Sequence, residues 1–383
     1  MRKYILEFLL YQPRVYAGLD HLMVNLCQIA CKNGYTVVCV YNGSLSEQPQ
    51  IRADIEDAGG IVEVVRSKER LMAVDMWHLY WKYRPAVVNM HFHVHLYLFS
   101  EILSKLFRAR HIAHFHSDFR NSKREHKPHS GNLRMLCRKC HLWAITTCAH
   151  HVISVSQAIE KQIRECSFGR CKKLQTLYLG TPLRAPRYSK EEARQITNIP
   201  IGAKVLLNVT AIEPNKGIDT AIIALAELQR RGFDFLLVHI GGIRNVCAEQ
   251  KAYEESLYSL AKEQGISDRI IWLGRRNDVQ DIMPLADIYI HPSRSEGLGC
   301  VLMEASMASL PLVGSNIGGI PEVIIDRVNG RTVSPESPAT LADAIVDVYE
   351  SHKLTYGLQA LHEVYTRFNQ DTQAKALFNL YLK

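Results

Sequence analysis

No apolar run in this chain of 383 residues approaches the roughly 20 needed to cross a bilayer, so a membrane-spanning helix is not expected. The opening MRKYILEFLLYQPR has too short an apolar core and no small-residue cleavage site for a secretory signal, and a cytoplasmic location is expected. No repeat of about 20–50 residues recurs, which excludes a solenoid or propeller. Acidic residues are scarce in one half only. Residues 1–190 carry 28 Lys and Arg against 14 Asp and Glu, and residues 191–383 carry 18 against 24, leaving charges of +14 and −6. Such asymmetry points to an anionic partner for the first half: a membrane surface, a phosphorylated acceptor or nucleic acid. Basic residues are densest over 105–139, with Arg120, Lys123, Arg124 and Lys127 in HSDFRNSKREHKPHSG, which reads as a long loop. Few aromatics interleave there and no nucleic-acid-binding module is recognisable, so nucleic acid is not expected as a partner.

Cysteine is not scarce. Ten in a chain of this length without a secretory signal read as reduced thiols rather than a disulfide framework. CRKCH places Cys137, Cys140 and His141 in the spacing of covalent haem attachment, with Cys148, His150 and His151 close behind. The surroundings lack haem-protein character and a second ligand pair at zinc spacing, so a helix carrying small apolar thiols is the expectation.

Length and a hydrophobic content of 47% fit two domains, each with its own core. Short apolar runs alternate with helical patterns throughout, which predicts two doubly wound α/β units. Strands are expected near residues 4–10, 36–41, 61–65, 86–91, 111–116, 151–155 and 175–178 of the first unit. In the second they are expected near 204–208, 234–240, 270–273, 287–291 and 312–314, with helices at 217–231 and 341–351. The segment TPLRAPRYSKEEARQITNIP has three prolines and many charges, and residues 184–200 are read as a linker between domains 1–183 and 201–364. Residues 365–383 read as a terminal helix.

The most informative stretch is residues 287–326, DIYIHPSRSEGLGCVLMEASMASLPLVGSNIGGIPEVIID. Its first five residues suit a buried strand, which Pro292 stops. Gly297 and Gly299 permit a tight turn, and the apolar run from Val301 to Met307 suits a helix starting near Leu298. Free amides and the positive dipole end gather at such a start and suit phosphates or hydroxyls. Glu296 and Glu304 lie eight residues apart, about 800° along a helix, so they are expected to share a face and reach two ends of one ligand.

This block resembles the donor site of the GT-B retaining glycosyltransferases of the large Glu-x7-Glu group (family 4, group 1): PSRSEGLG is similar to its PS-x-x-E-G-x-G and GGIPEVI to its G-G-x-P-E loop. LLNVTAIEPNKGIDTAIIAL is similar to its strand, Gly-Arg, Glu-Pro-x-Lys-Gly, helix segment. The resemblance covers nearly the whole chain and implies two Rossmann-like domains facing each other across a cleft, the terminal helix crossing back to the first. It implies a nucleotide-sugar donor, most commonly a UDP-sugar, held by Gly18, Thr210, Asn215, Lys216, Gly241, Gly242, Arg276, Asn277, Glu296, Gly297, Leu298, Gly299, Cys300 and Glu304. Lys216 would neutralise the leaving diphosphate, Glu304 would bind the ribose, Glu296 the sugar or diphosphate, and His116 of HIAHFHSDF the far side of the reacting sugar. His91, His93, His95, His111 and His114 are read as core or surface histidines.

Two departures from the family pattern stand out. The usual Gly-Gly of the first loop is Ala17-Gly18, and the arginine five or six residues before the lysine is replaced by Thr210 and Ala211; Arg275 and Arg276 are the candidates to supply its charge. No Asp-x-Asp triplet occurs, so no cofactor and no essential metal are expected. The expected activity is hexosyl transfer to a glycan or lipid-linked acceptor of a surface polysaccharide, such as lipopolysaccharide or capsule, the basic half lying on an anionic membrane. The alternatives are a nucleotide-sugar epimerase of the same fold and a degenerate partner subunit that binds without transferring.

Overall fold

The structure is a computed structural model and describes the chain apart from residues 1–2, 14–17, 44, 47, 67, 92–93, 118–139, 141, 168–170, 172 and 244–246. The chain divides into two compact units, residues 1–182 with 370–383, and residues 183–369. Both are parallel-sheet Rossmann-like α/β units. The basic stretch at 120–127, Ala17, His93, Cys137 and His141 lie outside the described residues.

Unit 1 contains β1 (Lys3–Phe8), β2 (Tyr35–Asn42), β3 (Ile61–Val65), β4 (Val87–Met90), β5 (Arg110–Phe115), β6 (His151–Ser154) and β7 (Leu174–Thr176). They form one parallel sheet in the order β3-β2-β1-β4-β5-β6-β7. The strands are short and almost continuously buried, the pattern of a parallel sheet covered on both faces by its crossover helices. The helix Gln370–Leu382 lies against the helix Gly18–Lys32, where Asn25 Nδ2 donates to Asp371 Oδ1 at 2.9 Å. The Tyr35 and Phe378 rings meet edge to face, their centroids 5.6 Å apart.

Unit 2 contains β8 (Lys204–Val209), β9 (Phe235–Ile240), β10 (Ile270–Trp272), β11 (Ile288–His291), β12 (Leu312–Ser315) and β13 (Gly330–Val333). Their order is β10-β9-β8-β11-β12-β13, again all parallel. The strand β13 escaped the sequence reading because GRTV is short and mostly polar; it is held by pairing along β12.

Residues 184–200, read as a linker, instead fold onto unit 2. Ser189 caps the helix Lys190–Ile196 in a reciprocal capping box with Glu192. From that helix the buried Arg194 reaches Asp287 at 3.1 Å. Asp287 also accepts from Lys190 at 2.5 Å, from the Val205 amide at 2.8 Å and from Lys353. The prolines and charges that resemble a linker thus fasten this segment to the start of β11. The terminal helix is also two pieces, Lys353–Arg367 and Gln370–Leu382, with the buried Phe368 at the break. Only the second belongs to unit 1.

Candidate active site

In a doubly wound sheet, ligands bind beyond the carboxyl ends of the strands, where neighbouring strands lead their connections away in opposite directions. In unit 2 that place lies between β8 and β11. Lys216 follows β8 and Glu296 follows β11, and they meet there: Lys216 Nζ is 2.7 Å from Glu296 Oε2, with both side chains largely buried. Local geometry dictates the encounter. Gly217 has φ 67°, and a Cβ there would come within 2.0 Å of the Pro292 carbonyl oxygen, so only glycine lets the lysine turn pass under the β11 loop. Arg294 clamps the two from outside, donating to both carboxylate oxygens of Asp219 at 2.9 and 2.7 Å, while its own amide donates to the Asn215 carbonyl at 2.8 Å. The Gly318-Gly319 loop presses on the same place, since a Cβ on Gly318 would lie 2.0 Å from the Glu296 carbonyl oxygen.

Burial pushes the Glu296 carboxyl up, but the Lys216 ammonium and a hydrogen bond with His291 outweigh it and hold the group well below the ordinary carboxylate range. His291, which the sequence reading placed only as the end of a strand, is therefore part of the site. Its Nε2 lies 3.2 Å from both Glu296 Oε2 and Ser293 Oγ, and its Nδ1 lies 3.3 Å from Tyr289 Oη. A histidine closing a strand five residues before the glutamate was the available signal.

Glu304 occupies the helix Cys300–Met307, which starts two residues later than expected, after Gly299 with φ 81°. Glu296 is thus in the loop ahead of the helix, so the two carboxylates do not share one helix face as expected. Burial pushes the Cys300 thiol up to about 12, with the Glu304 and Glu296 carboxyls adding to the shift and Lys216 opposing it. Glu304 has no hydrogen-bond partner among the described residues, and burial raises its carboxyl to about 7. Two carboxyls a few residues apart are thereby set differently: Glu296 ionised and paired, Glu304 poised to ionise and awaiting a donor. Gly297, Leu298 and Gly299 are buried immediately ahead of the helix amides.

The remaining sequence-predicted residues lie on loops at the same carboxyl edge. Thr210 is buried and its hydroxyl donates to the side-chain Oδ1 of Asn208 on β8 at 3.0 Å, and it carries no charge to stand in for an arginine. Asn215 Oδ1 is buried with no hydrogen-bond partner among the described residues. Gly241, at φ 144°, packs where a Cβ would lie 1.8 Å from the Thr210 carbonyl oxygen. Its amide donates to the Gly274 carbonyl at 2.8 Å, which joins the loops after β9 and β10. Arg276 is paired with Asp278 at 2.7 Å, and Asn277 follows it, exposed. Arg275, in contrast, lies along Gly242, its Cγ 3.3 Å from where a Cβ would be, and donates to the Ile243 carbonyl. Of the two arginines it is the one that borders the glycine loop.

In unit 1 the corresponding switch lies between β1 and β4. Gly18 opens a buried helix whose first turn carries the buried Asp20, which accepts from Tyr11 at 2.5 Å and Tyr41 at 2.9 Å, and the Gly18 carbonyl accepts from Gln370 at 2.6 Å. His116 follows β5 at the carboxyl edge. His91, read as a core or surface histidine, is buried and its Nδ1 lies 2.7 Å from His116 Nε2. His91 Nε2 in turn lies 2.9 Å from Glu7 Oε2. Burial raises the Glu7 carboxyl to about 8 against opposing hydrogen bonds from Tyr381 and Asn89, and lowers the His91 ring to about 3. Cys140 and Cys148 are exposed free thiols.

The two parallel sheets define the class, a Rossmann-like α/β fold with a paired cation and acid at its switch point, and comparison with known proteins gives the family. Residues 189–359 match the family model "Glycosyl transferases group 1" and residues 16–184 match "Glycosyltransferase Family 4". The chain belongs to this group 1, family 4 type of GT-B glycosyltransferase. It is 32% identical over 151 residues to the GDP-mannose-dependent alpha-(1-6)-phosphatidylinositol monomannoside mannosyltransferase of Mycobacterium tuberculosis, 37% of each chain. It is 24% identical over 232 residues to the N-acetyl-alpha-D-glucosaminyl L-malate synthase of Bacillus anthracis, covering 59% of this chain and 56% of that one. The match thus spans about a third to just over half the length of these curated relatives. Among solved structures, HepE of Anabaena in complex with UDP and glucose aligns with a TM-score of 0.79 at 19% identity over 99% of both chains. Sucrose-phosphate synthase of Thermosynechococcus elongatus aligns at 0.80 and 19%, over 99% of this chain and 98% of that one. At such identities these two establish the fold.

Proposed function

We propose that the chain transfers a hexose or N-acetylhexosamine from a nucleotide diphosphate donor to a glycan or lipid-linked acceptor in surface polysaccharide synthesis, retaining the anomeric configuration. The observation that carries this reading is the Lys216–Glu296 pair at the switch point of unit 2. Breaking a glycosidic bond to a diphosphate leaves an oxocarbenium-like sugar and a growing negative charge. Lys216 and the amides at the start of the helix Cys300–Met307 stabilise that charge, so no divalent ion is required at the diphosphate. Glu304 accepts hydrogen bonds from the ribose hydroxyls, Glu296 holds the sugar, and His291 orients Glu296. A UDP-sugar is the first donor to test, supported by the UDP bound in the HepE structure.

The basic first half suits an acceptor anchored in an anionic membrane. Support comes from an exposed apolar face on two neighbouring helices of unit 1, where Trp77, Trp81, Ile102 and Leu106 stand beside Lys105 and Arg84. The Arg84 guanidinium lies 4.1 Å over the Trp81 ring. Tryptophan and basic groups together favour the interfacial region of a bilayer. Among the described residues no helix is long and apolar enough to cross a membrane, and the attachment we propose is peripheral.

The test is release of nucleoside diphosphate from a panel of UDP-, GDP- and ADP-sugars by the purified chain, with and without acceptor. Release that depends on Lys216 and Glu296 supports transfer. The commitment of the Thr210 hydroxyl to Asn208 favours a second reading, a partner subunit that binds the donor without turnover. Tight binding with no release across the panel would establish it.

A further inference from the structure

We propose that His91, His114 and His116 form a binding site for a transition metal of the zinc class at the carboxyl edge of the unit 1 sheet. The strand register brings the three together. Met90 of β4 pairs with Ala113 of β5, so His91 comes level with His114 on the neighbouring strand, and His116 lies two residues further along on the same face. One ring nitrogen from each residue lies within 4.8 Å of the others. The ring centroids are 4.8, 4.9 and 4.4 Å apart. Three imidazoles bound to one ion at nitrogen distances of about 2.0–2.1 Å place their centres about 5 Å apart, which is close to what these rings already show.

The hydrogen bonds behind the rings say which nitrogens face inward. His91 Nε2 is engaged by Glu7 at 2.9 Å and by Asn89 at 3.1 Å, which turns Nδ1 toward the cluster. Glu7 is itself fixed by Tyr381 at 2.5 Å and Asn89 at 3.0 Å. A carboxyl group, then a histidine whose second nitrogen turns into the cluster, is the outer arrangement that orients histidine ligands on metals. His114 Nδ1 is 3.5 Å from Asn89, and its Nε2 is buried with no hydrogen-bond partner among the described residues. A purely hydrogen-bonded cluster explains the short contact of 2.7 Å between His91 Nδ1 and His116 Nε2, but it leaves the buried His114 Nε2 without a hydrogen-bond partner among the described residues. An ion between the three would engage one nitrogen of each ring, His114 Nε2 included, and open the His91–His116 contact to about 3.3 Å. Burial favours the neutral, metal-binding form of all three rings. Neutral nitrogen ligands without carboxylates or carbonyls select zinc, cobalt or nickel over magnesium or calcium.

With Nε2 on the metal, His116 must carry its proton on Nδ1 and becomes a fixed hydrogen-bond donor. Its use toward a sugar rests on the transferase reading above, whereas the metal site itself does not. The test is therefore metal stoichiometry in the full chain, stripped with a chelator and then titrated with Zn(II), and with Co(II) for its visible absorption. One equivalent with the intense bands of four-coordinate cobalt is expected. His114→Ala and, independently, His116→Ala are expected to abolish it while UDP binding to unit 2 persists, and the second variant serves if the first does not fold. Glu7→Gln is expected to keep the stoichiometry and weaken affinity about tenfold to a hundredfold. No bound equivalent at micromolar Zn(II), or one equivalent undiminished in both histidine variants, would overturn the proposal and leave nucleotide-sugar transfer untouched.

Discussion

Removing the Lys216 ammonium separates a structural role for the ion pair from a chemical one. At 2.7 Å and an effective dielectric constant of about 20, the attraction between Lys216 and Glu296 is about 6 kcal/mol before desolvation of the two groups is set against it. Stripping one partner from a fully buried pair costs about 3–5 kcal/mol. Here 14% and 16% of the side chains remain exposed and His291 also supports Glu296, so Lys216→Met should cost about 2 kcal/mol. For a unit of this size that lowers the melting temperature by about 4–8 °C. The chemical effect should be larger. Losing one preorganised group aimed at developing negative charge lowers kcat by about a hundredfold to a thousandfold. Adding Glu296→Gln to Lys216→Met removes the stranded carboxylate, so the double variant should recover most of the melting temperature and none of the turnover. Thermal melts and nucleoside diphosphate release read the two effects separately. A Lys216→Met enzyme that melts early but turns over within fivefold of wild type would refute the catalytic role and leave only a structural ion pair.

Glu304, raised to about 7 by burial, should make donor affinity rise about tenfold per pH unit up to about 7 and level off above 8, because the ribose hydroxyls need an ionised acceptor. Calorimetric titration of UDP from acid to alkaline pH should show that slope in wild type and a flat line in Glu304→Gln. A folded pKa above the unfolded value also means that stability from this carboxyl is present at acid pH and lost as pH rises through about 7, so the melting-temperature gap between the two proteins should change over that window. Arg275→Ala should raise KM for the donor about tenfold, whereas Arg276→Ala, already paired with Asp278, should change it less than threefold in steady-state assays. Asp287→Ala should destabilise unit 2 by about 3–5 kcal/mol by stranding the buried Arg194, as read by denaturant unfolding. Vesicle flotation should show Trp77→Ser with Trp81→Ser weakening attachment to anionic lipid, with no change in donor hydrolysis.

The alternation of buried apolar runs with helical patterns located twelve of the thirteen strands among the described residues to within about two residues, because parallel strands covered on both faces must be apolar along their length. The missing one, β13, carries Arg331 and Thr332 and owes its place to β12. Glu296 and Lys216 were legible because each sits in a tight, glycine-dependent turn whose spacing local sequence displays. Their direct contact was not, since 80 residues separate them. The same distance effect hid His291's bond to Glu296 less than it hid Glu7, whose partners His91 and Tyr381 come from remote parts of the chain. Glu7 reads locally as one polar residue in an apolar strand. Thr210 offered a hydroxyl on paper, but only the fold shows it spent on Asn208. Residues 184–200 were misread because prolines and charges signal exposure, while Arg194 is buried against an aspartate 93 positions away.

A crystal structure of the chain soaked with UDP tests most directly whether Lys216, Glu296 and Glu304 of unit 2 hold a nucleotide-sugar donor. The diphosphate is predicted at Lys216 and the amides of Leu298, Gly299 and Cys300, with the ribose hydroxyls on Glu304. UDP found elsewhere on the chain, or an unoccupied Lys216–Glu296 pair at saturating nucleotide, would contradict it.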